Sequence, residues 1–437
     1  MEHKEELSLY IHIPFCVRKC GYCDFLSAPA DEDSRDRYVQ ALLMEIERYR
    51  GTETADRKIR TLYIGGGTPS ILSIRQLDNI MQKIKYTFNL CENIEASMEM
   101  NPGTASKEKC RVLYQMGINR LSIGLQSTND AELKALGRIH SYEDFLNTYT
   151  WCREAGFQNI NVDLMAALPY QTIESYTDGL RKVIGLAPEH ISAYSLILEE
   201  GTPFYQKYNS GCYPLPDEEQ ERLMYRETEQ VLAQAGYERY EISNYAKKGY
   251  ACRHNLVYWQ GGDYLGLGLG SSSYMDGARF HNTTDFETYV NQNANEDRSA
   301  GRNDEQMYGQ EKMQIERSAE EQNIQLRCGK YVEDWEELSV QAKMEEFMFL
   351  GLRVMEGVSG TEFEKCFGKT MEDVYGAVLW KHEEEGLLRI ERREDRKEDR
   401  EEAATTEPVK RKTNIGRVML TNKGIDVSNY VFADFLL

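Results

Sequence analysis

Short β-like runs alternate with helical patterns from Ser8 to about Ala246, and this alternation restricts the fold more than any other feature of the chain. It is typical of βα units arranged around a parallel sheet. Six or seven such units predict an α/β architecture, a full or partial TIM-type barrel. The predicted strands are Leu9 to Ile13, Thr61 to Ile64, Glu95 to Met100, Arg120 to Gly124, Asn159 to Leu164, His190 to Leu196 and Arg239 to Ile242.

Three cysteines, Cys16, Cys20 and Cys23, follow the first predicted strand on one loop. In barrels of this type the chemistry gathers at the carboxyl ends of the strands, where this loop lies. A cubane iron–sulfur cluster needs thiolate ligands, so three closely spaced cysteines can hold three irons and leave the fourth open. We therefore predict a 4Fe-4S cluster at these cysteines.

Three other interpretations of the cysteines are weaker. A structural zinc site closes with four ligands, so the loop would have to borrow Cys252 or His254. Buried, inert cysteines fit poorly with the intervening Arg18 and Lys19, which suit an exposed loop. A disulfide framework fits worse, because ten cysteines in 437 residues are few, irregularly spaced and not preceded by a secretory signal.

Composition limits where the protein works and what it binds. With 437 residues, 41% of them hydrophobic, the chain has room for two domains with substantial cores. No uninterrupted apolar stretch approaches the length of a bilayer span, so we expect a cytoplasmic protein whose only membrane contact is peripheral. A net charge of -20 opposes binding to nucleic acid, which is recognised through Lys and Arg on phosphates.

A glycine turn, Gly65-Gly66-Gly67-Thr68-Pro69, follows the second predicted strand. Consecutive glycines let a ligand lie against backbone groups, although a glycine run alone is also typical of a tight turn. It is not a phosphate loop, because the required Lys-Ser/Thr is absent. Together, the cysteine spacing, Tyr22 before the last cysteine and this glycine turn resemble the motifs of the radical S-adenosylmethionine (SAM) superfamily. More narrowly, the sequence is similar to oxygen-independent coproporphyrinogen III dehydrogenase and its relatives.

The resemblance implies SAM as a second cofactor, with its amino and carboxylate groups on the open iron. It implies that Gly66, Gly67 and Thr68 cradle the methionine moiety and that Glu99 binds the ribose or the amine. Each matching residue alone is more often a surface or capping residue, but in order and at strand ends they predict one barrel mouth. The matching cofactor positions are Tyr10, Tyr22, Gly66, Gly67, Thr68, Glu99, Gln126, Arg138 and Asp163.

Within that family the chain departs from the catalytic enzyme at two places. The enzyme carries a further cysteine two residues after the third one, where this chain has Phe25. It also has a long N-terminal segment over its active site, whereas a short stretch precedes the motif here. Both departures count against decarboxylase activity and leave open whether the chain is an enzyme.

A His-Asn-x-x-Tyr-Trp string begins at His254 and is similar to the motif that marks the heme chaperones of this family. The imidazole of His254 can ligate heme iron, while Tyr258 and Trp259 supply flat apolar area against a porphyrin. The alternative is a packed histidine and a buried tryptophan beside the glycine-rich Gly261 to Gly270 turn. His281 is a second imidazole nearby in sequence.

The resemblance predicts a heme chaperone that binds heme, the 4Fe-4S cluster and SAM, and that transfers heme to an acceptor protein. Its implied partners are heme, heme-acceptor proteins and an electron donor for the cluster. The alternative function is a radical SAM tetrapyrrole enzyme such as the coproporphyrinogen III dehydrogenase. A zinc-stabilised interaction module is the remaining hypothesis.

We expect four regions along the chain. Residues 291–330 are rich in Asn, Gln, Glu and Arg and poor in aliphatics, so they predict a polar linker or insertion. Near the C-terminus, two helical segments precede predicted strands at Leu387 to Ile390 and Arg417 to Leu420, an order that resembles a winged helix. A DNA-binding role for it is opposed by the acidic charge. The regions are 1–245 (the radical SAM barrel), 246–290 (the heme motif), 291–330 (the linker) and 331–437 (a small winged-helix-like domain).

Overall fold

The computed structural model describes residues 5–291, 332–393 and 415–437. Its largest element is a sheet of twelve strands, and a separate sheet of three strands lies near the C-terminus. The strands are β1 (Glu6–Ile13), β2 (Phe15–Cys16), β3 (Ala28–Pro29), β4 (Lys58–Gly66), β5 (Asn89–Met100), β6 (Arg120–Gln126), β7 (Ile160–Ala166), β8 (His190–Ser195), β9 (Glu238–Glu241), β10 (Asn244–Ala246), β11 (Tyr264–Leu267), β12 (Ser272–Met275), β13 (Ala278–Asn282), β14 (Val332–Glu337), β15 (Val358–Ser359), β16 (Leu388–Arg392) and β17 (Ile415–Leu420).

The helices begin with local capping signals. Ser73, Ser141, Thr172 and Asp217 each form a capping box, in which the cap and the third helical residue satisfy each other's backbone donors. The helices are α1 (Glu32–Arg48), α2 (Glu53–Asp56), α3 (Ile74–Thr87), α4 (Lys107–Gln115), α5 (Asp130–Leu136), α6 (Tyr142–Ala155), α7 (Ile173–Gly185), α8 (Pro203–Asn209), α9 (Glu218–Gln234), α10 (Arg253–Trp259), α11 (Val340–Gly351), α12 (Gly360–Phe367), α13 (Met371–Glu384), α14 (Asn422–Asp426) and α15 (Ser428–Ala433). None of these helices is both long and apolar enough to cross a bilayer.

The large sheet is an open barrel of βα units. Its order is β14-β13-β12-β11-β1-β4-β5-β6-β7-β8-β10-β9. Neighbouring strands from β11 through β8 are parallel. Over the described residues, the outermost strands β14 and β9 do not pair with each other, so the barrel stays open. This confirms the predicted α/β class and partial TIM-type barrel.

The seventh parallel strand differs from the prediction. The predicted strand Arg239 to Ile242 corresponds to β9, which forms a tight antiparallel hairpin with β10 and lies at the sheet edge. A hairpin of two connecting residues is too short for a parallel crossover. The seventh parallel strand is instead β11, which pairs with β1. It lies inside the predicted glycine-rich turn, Gly261 to Gly270. Gly266 packs so closely there that a Cβ would lie 2.2 Å from the Ser272 carbonyl oxygen.

Residues of the parallel strands alternate between an apolar core and a polar interior. In β6, for example, Leu121 and Ile123 belong to the main hydrophobic core, whereas Arg120 and Ser122 line a cavity inside the barrel. Successive side chains of a strand point to opposite faces, so this alternation places every second residue inside. The interior of a TIM barrel is normally filled by branched apolar residues. The polar interior here instead leaves room for a ligand.

The C-terminal segment has its own hydrophobic core, built around Met348, Phe363, Leu379 and Val418. The two predicted wing strands are confirmed as β16 and β17, which pair antiparallel, and β15 adds a third strand. Helices α11 to α13 precede the wing, which agrees with the predicted winged-helix-like arrangement. Most of the charged run between the wing strands, residues 394–414, lies outside the described residues.

The regions meet at two places that the sequence division does not show. Strand β14 pairs with β13 and so belongs to the large sheet, although the predicted C-terminal domain begins at residue 331. The Met355 backbone N–H donates to the Tyr240 carbonyl oxygen at 3.0 Å, joining the segment after α11 to β9. The predicted linker, apart from Asn291, lies outside the described residues.

Candidate cofactor site

A cavity of about 570 Å³ opens at the carboxyl ends of the parallel strands. Its volume falls within the range of small-molecule sites. The cysteine loop after β1 and the ends of β4 to β8 line it, as the barrel rule predicts. Most of the predicted site residues line this one cavity, namely Cys16, Cys20, Cys23, Tyr22, Gly66, Gly67, Thr68, Glu99, Gln126, Arg138 and Asp163.

The cysteine loop is tied to helix ends on the far side of the mouth. Arg18 Nη2 donates to the Gly137 carbonyl oxygen at 2.5 Å. The Gly21 N–H donates to the Leu136 carbonyl at 3.4 Å, and the Gly21 carbonyl accepts from the Phe204 N–H at 2.9 Å. These contacts attach the loop to the end of α5 and to the start of α8.

Two side chains donate hydrogen bonds to the thiol sulfurs. Thr68 Oγ1 donates to Cys16 Sγ at 3.5 Å, and Arg138 Nη1 lies 3.8 Å from Cys20 Sγ. Hydrogen bonds to cluster-ligating sulfurs tune a cluster's reduction potential. Burial raises the pKa of the Cys23 thiol, so that cysteine is protonated at neutral pH until a metal replaces the proton.

The three cysteines fit an iron–sulfur cluster better than a zinc ion. In the described part of the chain, no three His, Cys, Asp or Glu side chains surround a single metal-ion position. Cys252 and His254, the candidate fourth zinc ligands, lie at the opposite end of the strands beside Glu95. In a cubane each thiolate binds a different iron, so the cysteines need only face one cavity, which they do.

The glycine turn packs tightly against β1 and β2. A Cβ at Gly66, where φ is +113°, would lie 2.6 Å from the His12 ring. A Cβ at Gly67 would lie 2.6 Å from the Phe15 carbonyl oxygen. The turn therefore needs glycine for its own packing, and the backbone that results lines the cavity.

Glu99 and Asp163 place two carboxyl groups in the cavity. Glu99 accepts hydrogen bonds from the Gly66 N–H at 3.0 Å and from the Tyr63 hydroxyl at 3.1 Å. Asp163 accepts from Asn161 Nδ2 at 2.7 Å. Burial and the neighbouring charge of Asp163 raise the pKa of Glu99 to about 7, and burial raises the pKa of Asp163. Glu99 therefore changes charge near neutral pH.

Gln126 and Arg138 are held rigidly at the end of β6. Gln126 has a φ of +72°, an uncommon backbone conformation for a residue with a side chain, and it accepts from the Tyr194 hydroxyl at 3.1 Å. Arg138 Nη2 donates to the Gly124 carbonyl at 2.6 Å. Strained residues persist where the surroundings fix them and cluster at functional sites.

Tyr10 does not line the cavity. Its hydroxyl is hydrogen-bonded to His12 Nδ1 at 2.9 Å, and its ring stacks on that of Tyr63 with the centroids 6.3 Å apart. Tyr63 does line the cavity and donates to Glu99. Tyr10 therefore supports the cavity wall from behind.

His254 lies at the amino ends of the strands, in the first turn of α10. The Glu95 carboxylate accepts from the Cys252 thiol at 3.6 Å, from the Arg253 N–H at 3.1 Å and from the His254 N–H at 3.0 Å. The His254 ring is buried, with Nδ1 2.7 Å from Thr61 Oγ1 and Nε2 2.8 Å from the Tyr258 hydroxyl. Burial lowers the pKa of His254 to about 3, so the ring is neutral.

Tyr258 and Trp259 also pack within the protein. Tyr258 makes an edge-to-face contact with Tyr264 at 4.6 Å, and Arg353 lies 4.3 Å above the Trp259 ring. Neither residue lines the cavity, and of this motif it is Asn255 that does so. This arrangement matches the alternative of a packed histidine and tryptophan. His281 lies on β13, where its Nε2 is 2.9 Å from Asp334 Oδ2.

The floor of the cavity is not among the predicted site residues. In the sequence Arg120 is only the start of a predicted strand, and its position in the strand alternation is the signal that places it inside. The additional polar residues that line the lower cavity are Arg120, Ser122, Asn161, Ser192, Asn244 and Asn255.

An open βα barrel with a three-cysteine loop after its first strand defines the class of a radical SAM protein, whose cofactors are a 4Fe-4S cluster and SAM. The family model described as the Radical SAM superfamily matches residues 10–183. The model described as the HemN C-terminal domain matches residues 338–394, which include α11 to α13 and β16.

Two relatives define the family more narrowly. The chain is 33% identical to the heme chaperone HemW of Lactococcus lactis, over 98% of this chain and 97% of the relative. It is 34% identical to the heme chaperone HemW of Bacillus subtilis, over 87% and 92%. The chain therefore belongs to the HemW family of radical SAM proteins.

A solved structure supports the fold. The coproporphyrinogen III oxidase HemN of Escherichia coli superposes with a TM-score of 0.75, covering 99% of this chain and 90% of that one, at 21% identity. At this identity the likeness establishes the architecture alone. It agrees with the open barrel and the winged-helix-like C-terminal segment.

Proposed function

We propose that this protein is a heme chaperone, which binds heme together with a 4Fe-4S cluster and SAM and passes the heme to an acceptor protein. The observation that carries this proposal is the similarity to a heme chaperone over nearly the whole of both chains. We further propose a cytoplasmic location, an electron donor that serves the cluster, heme-acceptor proteins, and peripheral contact with a membrane surface.

The mouth residues have distinct roles in this proposal. Cys16, Cys20 and Cys23 hold the cluster, which supplies one electron at a time when bound. Thr68 and Arg138 orient two of the sulfurs through the contacts described above. The loop faces the cavity, so a cofactor bound beside these cysteines would be held inside the barrel, partly screened from water.

Glu99, Gly66, Gly67, Gln126 and Asp163 hold SAM in the proposed complex. A cationic amine near Glu99 favours the ionised carboxylate, so binding lowers the pKa of Glu99 from its ligand-free value and releases a proton. The backbone of the glycine turn forms one wall of the site. Tyr10 acts indirectly, by supporting Tyr63 beneath that turn.

His254 remains our proposed heme ligand, with Tyr258 and Trp259 as its neighbours. Thr61 Oγ1 donates to Ser8 Oγ, so Thr61 accepts from His254 Nδ1–H. The lone pair then lies on Nε2, which is the form that binds a metal when the other nitrogen is held by a hydrogen bond. For heme iron to bind Nε2, the Tyr258 hydroxyl has to release it.

Phe25 favours the chaperone over the dehydrogenase. It is 70% exposed at the edge of the cavity, and its ring can neither donate a proton nor form a thiyl group. A family enzyme carries a cysteine there. The position suits contact with a flat apolar ligand or with another protein.

The test is to incubate the cluster-reconstituted protein anaerobically with a reductant, SAM and either heme or coproporphyrinogen III. We expect stoichiometric heme binding in an absorbance titration and no decarboxylated product by chromatography. Conversion of coproporphyrinogen III over many turnovers would replace the chaperone with the dehydrogenase. A protein that binds neither tetrapyrrole would contradict both functions.

A further inference from the structure

We propose that Arg120 forms a carboxylate-binding subsite at the floor of the barrel cavity. Arg120 is the first residue of β6, only 1% exposed, and its side chain lines the cavity. Its Nε has no hydrogen-bond partner. Within the described residues no carboxylate lies within ion-pair distance of its guanidinium group, and Glu95 and Asp163 act on it electrostatically from farther away. Arg120 is thus buried at a cavity without a carboxylate in direct contact.

The nearest carboxylates are occupied by other donors. Glu95 accepts two backbone N–H groups and a thiol at the start of α10. Asp163 accepts from Asn161 and Ser122. The cavity is therefore the direction from which an anion can reach Arg120.

Energetics support a missing partner. Burying a charged group without a partner costs several kcal/mol, and an arginine remains charged under all physiological conditions. A carboxylate ligand would supply two parallel acceptors for the guanidinium group. Glu95 and Asp163 offset part of this cost from a distance, and a ligand carboxylate in contact with the guanidinium group would offset more of it.

The depth of Arg120 separates this subsite from the mouth. Arg120 pairs with Ser97, whereas Ser122 pairs with Glu99. Two residues along a strand correspond to about 7 Å, so Arg120 lies about that far below the level of Glu99. A ligand held at the mouth would reach Arg120 with a carboxylate on a short arm.

Two molecules offer such a carboxylate. One is the propionate side chain of heme, and this assignment rests on the proposed function. The other is the carboxylate of a second SAM molecule, because that of the first is expected on the open iron. Both present the same chemistry to Arg120.

The test uses the full-length, cluster-reconstituted protein and its Arg120→Met variant. Each is titrated with heme, with heme dimethyl ester, whose propionates are esterified, and with SAM. We expect the variant to bind one carboxylate ligand roughly 10- to 100-fold more weakly. For heme, the ester should bind both proteins equally, at the affinity of the variant for free heme.

The matched control is Arg153→Met. Arg153 lies away from the cavity and pairs with Glu189 at 2.9 Å, so its loss should lower the melting temperature and leave every ligand affinity unchanged. Arg120→Met also removes a positive charge near Glu95 and Asp163, so its melting temperature is measured beside that of the control and the affinities are compared for folded protein only.

The titrations with heme, its dimethyl ester and SAM distinguish the possible ligands of the subsite. Weaker heme binding assigns the subsite to a propionate, and weaker SAM binding assigns it to SAM. Unchanged affinity for both overturns the subsite. If the wild type binds no heme, the proposed function fails and the SAM arm alone decides the subsite. If Arg120→Met does not fold, equal affinity of the wild type for heme and its ester, with one equivalent of SAM bound, overturns it.

Discussion

The mouth of the barrel and the floor helix α10 carry motifs of comparable length, yet the structure treats them in opposite ways. At the mouth, the three cysteines and Glu99 face a cavity. At the floor helix, the ring nitrogens of His254 both find partners inside the protein. In the first region the donors and acceptors are available to a ligand, while in the second they are used in contacts within the protein at the floor of the cavity.

The comparison shows that the location of a motif in the fold decides whether its side chains are available to a ligand. Loops after parallel strands are placed at one edge of the sheet by topology, so chemistry in them converges on one site. A motif within a helix lies wherever that helix packs. The floor helix packs under the barrel, where Glu95 caps its start.

The largest expected effect concerns the mouth. Cys20→Ser removes a proposed thiolate ligand, so we expect anaerobically reconstituted protein to lose most of its iron and visible absorbance while its melting temperature without a cluster is unchanged. Iron, sulfide and thermal unfolding are measured together. The control is Cys366→Ser, at an exposed cysteine of the C-terminal segment. A full complement of iron in Cys20→Ser would show that the ligand assignment is wrong.

At the floor helix we expect a loss of stability without a loss of iron. His254→Ala removes a buried ring and two hydrogen bonds, so the free energy of unfolding should fall by about 2–4 kcal/mol. The iron content per folded protein should stay at the wild-type level. Chemical denaturation and iron analysis check both halves. Wild-type stability would mean that His254 does not hold the floor together.

A smaller effect concerns the stability of the protein, which should depend on pH through Glu99 at the mouth. The pKa of Glu99 is about 7 in the folded, ligand-free protein, well above its ordinary value, so the native state binds the extra proton between about pH 4.5 and 7. Its contribution to stability is therefore present at low pH and lost as the pH rises through 7.

Glu99→Gln removes that titration while the raised pKa of Asp163 remains. Relative to the variant, the wild type should lose on the order of 2 kcal/mol of stability between pH 5 and pH 7.5. Urea unfolding of both proteins across this range gives the difference directly. A difference that does not vary with pH would contradict a raised pKa for Glu99.

The smallest effect tests whether the floor helix also binds heme. Tyr258→Phe deletes the hydroxyl that occupies His254 Nε2. If Nε2 is the heme ligand, heme affinity should rise about fivefold, the equivalent of one hydrogen bond. Thr61→Val, which removes the partner of Nδ1, is the control and should not strengthen binding. Unchanged affinity in Tyr258→Phe would place the heme ligand elsewhere.

Local sequence patterns predicted most strands of the barrel. The alternation of β-like runs with helical patterns placed β1 and β4 to β8, and topology then brought Cys16, Glu99 and Asp163 to one mouth. The pairing of β11 with β1 could not be predicted in this way, because Ser8 and Tyr264 are neighbours only through the folded sheet. A glycine-rich strand also lacks the branched residues that normally mark one.

The same limit applies to the interior. The side of the sheet on which Arg120 lies follows from strand alternation, but the absence of a carboxylate in contact with it depends on how distant segments pack. His254 contacts Thr61, which is far away in sequence, and Tyr258, which lies in the same helix. Residue type alone does not distinguish a packed histidine from a free one.

Heme transfer tests the central proposal most directly. The cluster-reconstituted protein is loaded with one equivalent of heme, separated from free heme and mixed with a heme-free acceptor protein that has a distinct absorbance spectrum. The chaperone proposal predicts that heme leaves the loaded protein intact and appears in the acceptor, with no decarboxylated or ring-modified tetrapyrrole. Heme that stays bound, or that is recovered in altered form, would contradict the proposal.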